Sequence, residues 1–111
     1  MRHVRAVIVA AIVAILVVAT ASVALAATKS VGVKKSGSKY LFTASTLSIK
    51  KGDSVTWSWR GSVPHNVKGA GFQSATKPKL TFTRKFTKAG TFPVVCTLHQ
   101  ALGQKMTVKV R

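Results

Sequence analysis

The one cysteine of this 111-residue chain, Cys96, lies three positions before a histidine in Val95-Cys96-Thr97-Leu98-His99. A second histidine, His65, stands about thirty residues upstream in Val63-Pro64-His65-Asn66-Val67. Two imidazoles and a thiolate form a mixed soft and borderline donor set. With a weak or absent axial donor, that set suits one copper ion exchanging one electron at a time. A free cysteine is otherwise a small buried hydrophobe, so the flanking residues decide between the two readings. The third histidine, His3, belongs to a basic N-terminal stretch and is left out of the donor set.

Three segments flank these residues: Lys51-Gly52-Asp53-Ser54-Val55-Thr56-Trp57, Ser62-Val63-Pro64-His65-Asn66-Val67 and Ala89-Gly90-Thr91-Phe92-Pro93-Val94-Val95-Cys96-Thr97-Leu98-His99. In type and order they resemble the cupredoxin (blue copper) family, in particular its plastocyanin-like and amicyanin-like members. The resemblance covers essentially everything after residue 28. It implies a Greek-key β-sandwich holding one type 1 copper on His65, Cys96 and His99, with a role in electron transport. It implies that Asn66 ties the two ligand loops together, with Thr97 as a partner. His99 would be the partly exposed ligand through which electrons pass, and Ala101 and Leu102 would belong to an apolar docking rim.

The chain departs from the family pattern at the axial position. Amicyanin-like loops run C-x-x-H-x-x-M, which places Leu102 where the methionine would stand. Plastocyanin-like loops run C-x-x-H-x-x-x-x-M, which places Gln104 there. Met106 is the nearest methionine, and its parity with Val108 and Val110 reads as core packing. Counting back from that strand favours the shorter register, with the non-ligating Leu102 over the copper. Gln104 as an oxygen ligand, and Met106 reached by a loop shift, remain alternatives. Loss of axial donation would favour Cu(I) and raise the potential.

The elements that must position these residues read as short strands. Thr46-Leu47-Ser48-Ile49 alternates polar with apolar, and Val55, Trp57 and Trp59 share one face of the next segment. Lys50-Lys51-Gly52-Asp53 reads as a turn. Pro64 restricts the backbone leading into His65. Lys68 to Pro78 reads as a surface loop, followed by a strand from Lys79 to Phe86 with Leu80, Phe82 and Phe86 on one parity. Phe92, Val94 and Cys96 share a face, which turns the thiol toward the interior. Met106, Val108 and Val110 point inward from the last strand. With no helical periodicity after residue 28, the pattern predicts an antiparallel sandwich.

Residues 1–27 read as a signal segment. Arg2 and Arg5 precede an apolar run from Ala6 to Ala27, and Ala24-Leu25-Ala26 fits a small-x-small cleavage site. The alternative is an uncleaved anchor, because 22 residues suffice to span a bilayer that needs about 20. Either way, residues 28–111 form one exported domain, periplasmic, extracellular or held at the cell envelope. One cysteine excludes an internal disulfide, and a metal ligand accounts for it.

The chain carries 18 Lys and Arg against a single acid, a formal +17. Without Arg2 and Arg5 the domain keeps +15. That charge calls for acidic redox partners, or an anionic envelope surface, around a monomer. Asp53 has no second carboxylate for acid/base work and reads as structural, so an enzyme is not expected. Two further classes fit parts of the pattern. One is copper binding or delivery without electron transfer. The other is a basic module for anionic polymers, although the lysines are not interleaved with exposed aromatics as a stacking surface requires.

Overall fold

In the computed structural model, residues 25–111 are described. The expected signal segment therefore lies outside the described residues, apart from Leu25, Ala26 and Ala27. Alternating apolar residues set the strands. They are β1 (Thr28–Ser36), β2 (Lys39–Phe42), β3 (Thr46–Ile49), β4 (Ser54–His65), β5 (Lys68–Gly69), β6 (Phe72–Gln73), β7 (Lys77–Lys85), β8 (Gly90–Val95) and β9 (Lys105–Val110). They form a four-stranded sheet ordered β2-β1-β4-β7 and a five-stranded sheet ordered β3-β9-β8-β5-β6. Among the described residues the only helical element is a 3₁₀ turn at Gln100–Leu102.

The all-β sandwich is the one expected, but neither sheet is purely antiparallel. β1 runs parallel to β4, and β3 runs parallel to β9. The other pairings are antiparallel. The mixture follows from chain order, since β1 and β4 are neighbours in the sheet without being consecutive in sequence. The stretch read as a loop, Lys68 to Pro78, contains the small β5–β6 hairpin, turned at Gly71 with φ +79°. Phe72 from that hairpin lies against Trp57, Phe82 and Phe86. Its ring also covers Gly69, where any β-carbon would collide with it.

The core between the sheets is built from Val31, Val33, Phe42, Ile49, Val55, Trp57, Trp59, Val67, Phe86, Val94, Met106, Val108 and Val110. Trp57 is fully buried, and its indole N–H donates to Met106 Sδ at 3.3 Å. Met106 is therefore a core residue with a polar duty, since a buried indole donor needs an acceptor. Asp53 is structural as expected. Its Oδ1 accepts from Ala27 N at 2.9 Å and its Oδ2 from Lys50 N at 3.0 Å, tying the start of β1 to the β3–β4 turn. Those two bonds, Ala27 first, pull its pKa below the ordinary carboxylate value. Gly52, at φ +92°, supplies the left-handed residue of that turn.

Met106→Leu keeps the volume but removes the acceptor from a buried N–H. Chemical denaturation of the metal-free protein should show a loss of about 1–3 kcal/mol, the cost of an orphaned buried donor. A loss within error would mean that the indole needs no partner here.

Candidate metal centre

Two of the candidate ligands sit at strand ends and the third on the loop between β8 and β9. His65 closes β4, after a bulge between Arg60 and His65 that lets Val63-Pro64 lift the chain out of the β7 ladder. Cys96 follows β8 on the same face as Val94, and both are fully buried. His99 lies three residues on and is half-buried, while His65 is only 3% exposed. The two loops are laced together by Asn66. Its Nδ2 donates to Thr97 Oγ1 at 2.7 Å, its Oδ1 accepts from Thr97 N at 2.8 Å, and Nδ2 also donates to Thr76 Oγ1 at 3.1 Å. This is the link that Asn66 and Thr97 were expected to make.

The donor atoms converge. Cys96 Sγ is 3.6 Å from His99 Nδ1 and 4.0 Å from His65 Nδ1, and one ligand atom from each of the three lies within 4.8 Å of the others. Metal bonds of about 2.0–2.3 Å to imidazole and thiolate put donors on one ion roughly 3–4.5 Å apart. The three side chains therefore fit a single ion.

The fourth side chain of the cluster is Gln104, which is completely buried. Its Nε2 donates to the carbonyls of Leu41 at 3.1 Å and Lys34 at 3.3 Å. That leaves Oε1 pointing inward, 3.0 Å from His65 Nδ1 and 3.0 Å from His99 Nδ1. The amide oxygen thus stands over the face presented by both ring nitrogens.

Leu102 does not take the place that the shorter loop register gives it. It lies on the 3₁₀ turn and is 61% exposed. The reason is the path of the loop. His99 N donates to Cys96 O, Leu102 N to His99 O and Gly103 N to Gln100 O, which winds the turn outward. Gly103, at φ +89°, then reverses the chain. Cys96 N donates to Gln104 O at 3.1 Å, so Gln104 is paired directly across from Cys96. Met106 lies one inward step further along β9, bonded to Trp57.

Two neighbours escaped the reading of the sequence. Tyr40 of β2 stacks on His99 with ring centroids 3.9 Å apart and planes at 17°. Leu98 is 43% exposed beside the exposed Ala101 and Leu102, and it widens the apolar rim around His99. No motif signals Tyr40, because the stack depends on β2 passing over the ligand loop.

The sequence profile of the copper binding proteins, plastocyanin/azurin family, matches residues 27–111. The chain belongs to this family. It is 31% identical over 85 residues to plastocyanin of Scenedesmus fuscus, across 64% of this chain and 87% of that protein. It is 32% identical over 80 residues to amicyanin of Paracoccus denitrificans, across 65% of this chain and 61% of that protein. Among solved structures, an oxidised methionine-to-leucine variant of amicyanin superposes with a TM-score of 0.61 at 29% identity, covering 75% of this chain and 81% of the other. A purple cupredoxin from Nitrosopumilus maritimus shares the fold, with a TM-score of 0.62 at 23% identity, covering 75% of this chain and 99% of the other. The cofactor of the family is copper, and the cluster of His65, Cys96 and His99 fits a type 1 site of this cupredoxin.

Burial pushes the pKa of His65 below its usual 6.5. The hydrogen bond to Gln104 acts in the opposite sense, and His99 adds to the depression. A lowered pKa keeps the imidazole neutral, the form that ligates. Since the unfolded chain binds this proton more readily than the folded one, stability is full above about pH 6.5 and falls as the pH drops through the depressed value. Urea denaturation of the metal-free protein should show stability that falls from about pH 6.5 to 5, and His65→Asn should flatten the slope. A flat profile for the native chain would contradict the depression.

Proposed function

We propose that this cupredoxin is an exported one-electron carrier, with His65, Cys96 and His99 as copper ligands and Gln104 Oε1 as a weak axial donor. The observation that carries the reading is the Gln104 carboxamide. Its N–H groups are fixed on two backbone carbonyls, so its oxygen has one direction to face, toward the two ring nitrogens. Copper held by this donor set supplies a Cu(II)/Cu(I) couple.

The protein residues make that exchange easy in stated ways. Cys96 and His65 lie in the interior, which excludes water from the thiolate and from one imidazole. Asn66 holds the two loops in register, so the donors need not move when the charge changes. His99 is the ligand nearest solvent, under Tyr40 and ringed by Leu98, Ala101 and Leu102. That rim offers a partner a small apolar contact close to the metal. The strongly basic domain around it favours acidic partners.

An amide oxygen is a harder donor than a thioether and stabilises Cu(II), so it lowers the potential, opposite to the effect of Leu102 over the metal. The copper-loaded protein should be blue, and Cys96→Ser should lose the colour. Gln104→Met should raise the potential by roughly tens to a hundred millivolts, where 59 mV is a factor of ten for a one-electron couple. Colourless copper uptake by the native chain would refute the ligand set, and an unmoved potential would remove Gln104 from it.

Electron exchange with an acidic redox protein should slow steeply as salt rises from about 10 mM to 0.5 M, over which the Debye length shrinks from about 30 Å to a few Å. Stopped-flow rates that stay flat over that range would exclude an acidic partner.

A further inference from the structure

The end of the sandwich opposite the metal centre is a second charged surface, and no part of the redox reading uses it. A groove of about 440 Å³ there is lined by Lys29, Lys50, Lys51, Lys85 and Arg111, together with Leu25 to Ala27. The cations come from the start of β1, the β3–β4 turn, the end of β7 and the end of β9. These segments are locked to one another through their backbones. Lys51 N donates to Arg111 O at 3.0 Å, Arg111 N to Ile49 O at 3.0 Å, Gly52 N to Phe86 O at 2.7 Å and Ser54 N to Ala27 O at 2.9 Å. The one acidic side chain in the groove, Asp53, is engaged by Ala27 N and Lys50 N. The cations therefore form a fixed, exposed cluster on rigid turns.

We infer that this pole rests on an anionic phospholipid bilayer, with the copper end pointing away from it. Three observations favour that occupant. The groove is where the apolar sequence run from Ala6 to Ala27 joins the domain, so a retained run would hold this end of the domain against a membrane. Where the run is retained, Leu25, its last bulky residue, adds an apolar side chain that is 90% exposed at the edge of the groove. The groove also contains no aromatic side chain on which a nucleobase could stack. Juxtamembrane lysines and arginines are attracted to anionic headgroups within a Debye length of the surface. From Gln104 to Arg111, β9 runs about 3.3 Å per residue, which sets the rim around His99 more than roughly 20 Å from the lipid. An electron partner then approaches from the open side.

The test uses the protein as recovered after export. It is mixed with vesicles of phosphatidylcholine alone or with about one third phosphatidylglycerol, an anionic fraction of the kind that attracts basic segments. Lysine acylation is read site by site by mass spectrometry. On the anionic vesicles Lys29, Lys50, Lys51 and Lys85 should react several-fold more slowly than on the neutral ones. Lys34, Lys35 and Lys39, exposed beside the metal end, should be little changed. The triple variant Lys50→Gln/Lys51→Gln/Lys85→Gln should lose the protection of Lys29, and Lys34→Gln/Lys35→Gln/Lys39→Gln should keep it. Equal protection at both ends, protection indifferent to lipid charge, or the same protection by inorganic phosphate without vesicles would each overturn the inference.

Discussion

The geometry of the metal centre depends on one buried carboxamide. Gln104 spends both N–H groups on the carbonyls of Lys34 and Leu41 and offers its oxygen to two imidazoles. Turned over, it would set its oxygen against two carbonyl oxygens and leave all three without a donor. A buried polar group without partners costs on the order of a few kcal/mol, so the observed orientation is the stable one. The same bonds join β1, the β2 strand and the start of β9 to both histidines. The ligand set is thereby referred to the core sheets, and not to the loop that carries most of it.

The remaining constraints keep that reference rigid. Asn66 and Thr97 exchange two short hydrogen bonds across the ligand loops, and Cys96 pairs with Gln104 through the backbone. Trp57 fills the middle of the sandwich, satisfied by Met106 and surrounded by Phe72, Phe82 and Phe86. A site held in this way would present nearly the same donor positions to either oxidation state, as the proposed one-electron exchange requires. The exposed Leu98, Ala101 and Leu102 lie on the 3₁₀ turn and its approach, where variation in sequence leaves the ligands untouched.

Much of this was legible before any coordinates. Period-two alternation located the strands that carry Trp57, Cys96 and Met106, because each has one face in the core and one in water. The flanks of His65 and Cys96 singled out three side chains that the fold brings together, and the Asn66–Thr97 link. Alternation could not tell which strands become neighbours, so β1 beside β4 and β3 beside β9 were missed as parallel pairs. Gln104 shows the difference more sharply. The parity that turned Met106, Val108 and Val110 inward also turns Gln104 inward. Counting loop residues toward Leu102 overlooked this, because a left-handed Gly103 reverses the chain after an outward 3₁₀ turn. Tyr40 stacks on His99, a contact between segments far apart in sequence that no local pattern carries.

Gln104 is the residue on which the account turns, and the crystal structure of the Cu(II) protein tests it most directly. The account predicts copper bound by His65 Nδ1, His99 Nδ1 and Cys96 Sγ, with Gln104 Oε1 on the axial side and its Nε2 still on the carbonyls of Lys34 and Leu41. A copper whose axial side is covered by Leu102, or coordinated by Met106 Sδ, with the Gln104 oxygen turned away, would contradict it.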